Sequence, residues 1–252
     1  MVNPFFERLS LLTGSEAAVA LGKCRLIVFG LGGVGSWCAE ALVRSGIGNI
    51  SLVDADKIHE SNINRQVQAL SGNIGRFKTE VLEERLLQIN PSCAVKSFPM
   101  VFSKENAGIF DIPGADYVVD AIDTLPHKLD LIETAYASGG RLFSSMGMAQ
   151  KLDPVLVKTA DIWETSDCPL ARLVRQGLKK RGFEGHFTAV YSPERPAVGN
   201  EAGDSPDDGI DDSLEWQNGK KVIGSCVTVT ATAGMVLASL VIRSVMEKCR
   251  HG

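Results

Sequence analysis

The 252-residue sequence predicts an α/β fold with a doubly wound, mostly parallel sheet. Three observations predict it. Short continuous apolar runs alternate with longer stretches of helical periodicity, the pattern of strands buried on both faces and joined by crossover helices. The glycine-rich stretch GLGGVG, residues 30–35, falls between one such run and one such helix. No internal repeat or clear linker interrupts the chain, so one domain over residues 1–252 is expected, with a nucleotide half at about 8–150 and a substrate-side half at about 151–252.

The elements follow in order. Residues 15–22 read as a short helix. CRLIVFG is an apolar run closed by glycine, a buried parallel strand. GVGSWCAEALVRSG carries Val34, Trp37, Cys38, Ala41 and Leu42 at helical spacing and stops at Gly46. NISLVDAD is the second strand, and GRFKTEVLEERLLQINP an amphipathic helix stopped by Asn90 and Pro91. AVKSFPMVF and ADYVVDAID are the third and fourth strands, PHKLDLIETAYASGG a helix, and RLFSSMGM the fifth strand. Beyond residue 150, KLDPVLVKTADIWE reads as a strand and CPLARLVRQGLKKRG as a basic helix. Residues 192–220, with EAGDSPDDGIDD inside, read as a mobile acidic loop.

Composition narrows the function classes. A net charge of −4 gives no global signature of a nucleic-acid binder, and no DNA partner is expected. The six cysteines (Cys24, Cys38, Cys93, Cys168, Cys226, Cys249) form no CxxC pair and read as reduced thiols. MVNPFFERLSLLTG has no apolar core of a signal peptide, so a cytoplasmic protein is expected. Residues 222–242 carry no charge and have the length of a membrane span. Their early Thr, Ser and β-branched content instead predicts a short buried strand followed by an apolar helix packed on the sheet, with no integral membrane segment.

The glycine loop points to a nucleotide. Gly30, Gly32 and Gly35 satisfy the G-x-G-x-x-G spacing, with Gly33 beside them. Glycines permit the tight turn and close backbone approach, and the helix start offers unpaired N–H groups to phosphate. Asp54 ends the second strand nineteen residues after Gly35, where a carboxylate can accept both ribose hydroxyls; Asp56 follows it. A nicotinamide enzyme or a non-catalytic nucleotide scaffold needs no more than this.

The chain has more. SNINRQ, residues 61–66, supplies Asn62 and Arg65; Lys78 opens a predicted helix; Asp123 closes the fourth strand near Asp120. Taken singly, Arg65 is a surface ion pair and Lys78 a solvated helix residue. Together, two cations, amide donors and strand-end carboxylates suit ATP with Mg²⁺. The cations offset charge on a leaving pyrophosphate, and a carboxylate holds the metal.

GLGGVGS, DADKIHESNINRQ, GRFKTE and DAIDT, in this order and spacing, resemble the E1-like adenylating superfamily: the ubiquitin-activating enzymes and the bacterial molybdopterin-synthase and thiamine-pathway adenylyltransferases. The resemblance implies a Rossmann-like E1 adenylation fold over about residues 8–150. It implies that Asp54 binds ribose, Asn62 and Arg65 the phosphates, Lys78 the α-phosphate region, and Asp123 Mg²⁺. It also implies that Arg8 reaches the nucleotide of a partner subunit, hence a homodimer. A sulfur-relay protein is a further partner on that likeness.

Two CxxC pairs usual in the molybdopterin and thiamine branches are absent. ALVRSGIG, NRQVQAL, VVDAID, DPVLVKTADI, CPLARLVRQGLKKRG and VTATAGMV instead resemble the tRNA threonylcarbamoyladenosine dehydratases. That branch implies ATP-dependent activation of the threonylcarbamoyl carboxylate at position 37 of tRNA through an acyl-adenylate, then ring closure by the carbamoyl oxygen, with no enzyme thiol. The alternative is adenylation of the C-terminal glycine of a ubiquitin-like or sulfur carrier, in which Cys168 would matter. Arg172, Arg175, Lys179, Lys180 and Arg181 of the basic helix suit RNA phosphates as well as they suit a solvated face.

Overall fold

The computed structural model describes residues 4–195, 216–217, 220–221 and 224–251. Two helices, α1 (Glu7–Thr13) and α2 (Ser15–Lys23), precede β1 (Arg25–Phe29). Then follow α3 (Gly35–Arg44), β2 (Asn49–Val53), α4 (Lys78–Ile89), β3 (Ala94–Phe98), β4 (Tyr117–Asp120), α5 (Leu125–Ala137) and β5 (Arg141–Ser145). The later part adds β6 (Lys158–Asp161), α6 (Pro169–Lys180), β7 (Thr188–Tyr191), two-residue strands β8 (Trp216–Gln217) and β9 (Lys220–Lys221), and α7 (Val227–His251).

Seven strands form one sheet in the order β3-β2-β1-β4-β5-β7-β6. All pairings are parallel except β6 with β7. The chain moves outward from β1 through β2 to β3, then returns to place β4 on the other side of β1. The crevice between the carboxyl ends of β1 and β4 is therefore a topological switch point, where open α/β sheets bind ligands.

Alternation along the central strands feeds two cores. Leu26 and Val28 of β1 join the cluster under α2, α3 and α7, with Leu42, Val43, Leu237 and Val241. Ile27 and Phe29 join the cluster under α5 and α6, with Ile132, Val174 and Leu178. Phe29, Phe102 and Phe110 pack edge-on there at 5.2 and 5.5 Å between ring centroids.

Several expectations are corrected. Among the described residues of 222–242 there is no strand: residues 224–226 are irregular, and α7 runs unbroken from Val227. Helical packing overrides the β propensity of VTVTAT, because Gly234 brings α7 so close to α3 that a Cβ would lie 2.5 Å from the Val34 carbonyl oxygen. The Thr230 hydroxyl is satisfied by the Cys226 carbonyl, 3.2 Å away on the preceding turn. By length and composition Val227–Arg250 could cross a membrane, and half of its most apolar window is buried in the protein.

β3 and β4 are shorter than expected, ending at Phe98 and Asp120, so Asp123 lies on the loop beyond β4 and not at its end. The strand expected over 151–164 is confined to Lys158–Asp161, because 3-10 turns capped by the Asp153 and Asp161 side chains flank it. α1 and β7 were not expected at all. Of the acidic stretch 192–220, residues 196–215 lie outside the described residues, while 216–217 and 220–221 pair as a hairpin.

Candidate nucleotide site

The glycine loop leaves β1 at the switch point. Gly30 has φ +85°, and a Cβ there would lie 2.6 Å from the Ala121 carbonyl oxygen, so only glycine lets the β1 and β4 exits run side by side. At Gly35 a Cβ would meet the Gly30 oxygen, which forces α3 hard against the strand end. Gly32 has open space above it, and Gly33 backs onto Thr230 and the Arg65 side chain. The first turn of α3 then fixes the neighbouring loop. The Ser36 hydroxyl donates to the Gly32 carbonyl at 2.7 Å, and the Trp37 indole N–H donates to the Arg65 carbonyl at 3.0 Å.

Asp54 follows β2 and is nearly buried. Its Oδ2 accepts the Leu31 amide at 2.6 Å and its Oδ1 the Asp56 amide at 2.8 Å, so the carboxylate is locked against the glycine loop. Burial pushes its pKa above the ordinary carboxylate value, and Lys78 partly opposes that shift. Lys78, the first residue of α4, is 7 % exposed; its Nζ lies 2.7 Å from Asp56 Oδ2 and 3.8 Å from Asp54 Oδ2. A buried ammonium held by two acids is a fixed positive charge beside the loop.

Arg65 is half-buried, its Nη1 donating to the Ser61 carbonyl at 2.7 Å and to Asn64 Oδ1 at 2.9 Å. Burial lowers its pKa, and the field of Asp123 opposes this. Asp123 is exposed, with the Thr124 hydroxyl at 3.2 Å. Asn62 is buried, and its Oδ1 accepts the His59 amide at 3.0 Å, so its oxygen shapes the turn.

The structure thus brings together Gly30, Gly32, Gly33, Gly35, Asp54, Asp56, Asn62, Arg65, Lys78 and Asp123. Arg8 does not join them within one chain. It is exposed on α1, just after Phe6, which packs over Gly46 at the opposite edge of the sheet.

Several residues that build the site escaped the sequence reading. Asp120 and Lys128 form an ion pair of 2.8 Å with both side chains fully buried. Asp120 also accepts the Ser144 hydroxyl at 2.6 Å and the Ile122 amide at 3.0 Å, and Lys128 donates to the Ile122 carbonyl at 2.7 Å. This network holds the loop that carries Asp123. The signal was legible: Lys128, Leu131, Ile132 and Ala135 are the buried stripe of α5, with a lysine at its first position. Gln68 donates to the Leu31 carbonyl at 2.9 Å, and Asn64 to the Ser225 carbonyl at 2.8 Å.

The residues fit a nucleotide triphosphate. Buried side-chain atoms without a partner among the described residues are Gln66 Oε1, Gln68 Oε1, Thr79 Oγ1 and His127 Nδ1. Among the described residues no group of three or more His, Cys, Asp or Glu could hold a metal by itself. One exposed carboxylate, Asp123, fits Mg²⁺ that arrives with phosphate oxygens, since this ion is commonly held by one or two carboxylates plus the nucleotide.

Cys168 makes no hydrogen bond to the residues named above. It is 4 % exposed at the start of α6, its Sγ 4.0 Å from the Gly147 carbonyl oxygen.

Comparison with known proteins agrees with this geometry. The ThiF family model matches residues 6–251. The tRNA threonylcarbamoyladenosine dehydratase of Bacillus subtilis is 36 % identical over 242 residues, covering 96 % of this chain and 94 % of the relative. The Haemophilus influenzae protein of the same name is 35 % identical, covering 92 % and 90 %. Crystal structures of the Escherichia coli enzyme TcdA in complex with AMP and with ATP superpose with TM-scores of 0.86 and 0.85, at 31 % identity over 100 % of this chain and 99 % of theirs. The chain belongs to the ThiF family.

Proposed function

We propose that this protein is an ATP-dependent tRNA threonylcarbamoyladenosine dehydratase. The observation that carries the reading is the crevice at the switch point. There Asp54 and Lys78 are buried together beside the glycine loop, and the Arg65 side chain backs Gly33 of that loop. Similarity to enzymes of that name over nearly the whole chain supports the choice of substrate.

The roles follow from the chemistry of each group. Asp54, its remaining lone pairs turned to the crevice mouth, accepts the ribose hydroxyls. The glycine-loop amides and the α3 N-terminus receive phosphate. Lys78 and Arg65 balance negative charge as pyrophosphate departs. Asp123 holds Mg²⁺, which supplies charge neutralisation at the phosphates when bound. ATP supplies the adenylyl group that makes the threonyl carboxylate a good acylating agent. The carbamoyl oxygen then closes the ring, AMP leaves, and the substrate has lost one water. Nothing in this sequence needs a thiol, and the buried position of Cys168 suits that.

A second copy of the chain completes the assembly in this reading. Leu11 and Leu12 of α1 are 81 % and 78 % exposed on the helix that carries Arg8. A homodimer covers them and delivers Arg8 to the partner's nucleotide. The reaction belongs in the cytoplasm, where its tRNA substrate is.

AMP release tests the reading. With Mg²⁺ and ATP, AMP should form in step with added tRNA bearing the threonylcarbamoyl group and not with tRNA lacking it. Equal release with both RNAs would sink the proposed substrate.

A further inference from the structure

We propose that the exposed face of α6 is the docking surface for the base-paired stem of the RNA substrate. This rests on the dehydratase reading for the identity of the RNA, but the surface is argued from α6 itself. Its first turn sits at the site's edge of the sheet. Leu170 packs on Gly147, two residues beyond the carboxyl end of β5, which is parallel to β4 and β1. The 12-residue helix is about 18 Å long at 1.5 Å per residue, and its Gly177 packs on Leu129 of α5.

The helix presents two unlike faces. Ala171, Val174 and Leu178 are fully buried in the core. Arg172, Gln176, Lys179 and Lys180, at spacings of four, seven and eight, are exposed, and the helix contains no acid. Of the acids around it, Asp130 and Glu133 are already paired, while Glu164 and Asp167 before it and Glu184 after it stand exposed. Arg181 pairs with Asp130 at 2.7 Å and Glu133 at 2.9 Å, and Lys104 with Glu133 at 2.6 Å. Arg175 is turned inward to the Thr165 carbonyl at 2.8 Å and to its hydroxyl. Lys179 rests 5.9 Å from the Trp163 ring centroid. Arg172 and Lys180 have no ion pair or hydrogen bond among the described residues.

Arg172, Lys179 and Lys180, exposed on a helix that contains no acid, match a phosphate backbone. The helix carries no exposed aromatic platform of the kind that reads unstacked single-stranded bases, so it suits the backbone of an A-form duplex. An anionic membrane is disfavoured because Ala171, Val174 and Leu178 are buried in the core and Leu173 is the one large apolar side chain α6 exposes.

The test replaces Arg172, Lys179 and Lys180 by glutamine in the full chain. The comparison is a control of equal charge loss, Lys23→Gln, Lys96→Gln and Arg243→Gln. tRNA affinity is measured from 50 to 200 mM salt, together with ATP affinity and the melting temperature. We expect tRNA binding to weaken about tenfold or more and its logarithmic salt slope to fall by about one per cation removed. ATP affinity, melting temperature and turnover at saturating tRNA should hold. Unchanged tRNA affinity and slope, or an equal loss in the control, overturns the surface. So does a loss confined to a Gly-Gly-tailed carrier protein or to anionic vesicles. If the wild type binds tRNA through α6 yet never dehydrates it, the function fails and the surface stands.

Discussion

Arg65 serves both the fold and the site. Its guanidinium closes the Ser61–Asn64 turn, its side chain backs Gly33, and its carbonyl holds Trp37. Arg65→Ala should lower ATP turnover by about 10²-fold or more, as loss of a charge-stabilising group does, with the melting temperature falling only a few degrees. An undiminished rate would remove Arg65 from the phosphate site. Asp54 makes a prediction in pH. Its folded pKa is raised by burial, so the empty protein is most stable with Asp54 protonated, and that contribution is lost as pH rises through the raised value. Ribose needs the ionised form. ATP affinity should therefore be full above that pKa and fall as pH drops through it, with a midpoint above the ordinary carboxylate value; Asp54→Asn should flatten the titration. Cys168→Ala should keep full activity, and total loss would favour the carrier-protein chemistry. Most of these residues were legible because their chemistry is local: a glycine loop, a strand-end acid, a lysine at a helix start. Arg8 and Asn62 were legible only as likenesses. The turn-shaping bond of Asn62 depends on a backbone conformation that no spacing reveals.

At the scale of elements, the buried Asp120–Lys128 pair links β4, β5 and α5 and sets the loop that carries Asp123. Lys128→Met should cost about 3–5 kcal/mol in denaturant unfolding, because it strands a fully buried carboxylate. Pairing it with Asp120→Asn should recover much of that loss. A double variant no more stable than Lys128→Met would show that the pair is not the source of the cost. The pair went unread because a charged residue in an apolar stripe looks like noise until its partner, eight residues earlier on a different element, is brought beneath it. The five parallel strands through β5 were legible as apolar runs. β7 was not: its TAVY run is four residues long and pairs far along the chain with β5 and β6. The helical start of α7 was misread because its β-branched residues obey close packing on α3 and not their own propensity.

For the whole molecule, the doubly wound topology explains why the site's residues come from distant stretches of sequence. The loop after β1, the loop after β2, the start of α4 and the loop after β4 all open at one switch point. That convergence gathers the glycine loop, Asp54 and Lys78 at one end of the sheet, and α6 starts from the same end. The central claim is that this surface spends ATP on closing a ring in a modified tRNA nucleoside. The most direct measurement incubates the full chain with ATP, Mg²⁺ and tRNA carrying threonylcarbamoyladenosine, then weighs the released nucleoside by mass spectrometry. The account predicts that the nucleoside loses the mass of one water, only when ATP is present. An unchanged nucleoside, with pyrophosphate exchange appearing once a Gly-Gly-tailed carrier protein is added, would contradict it.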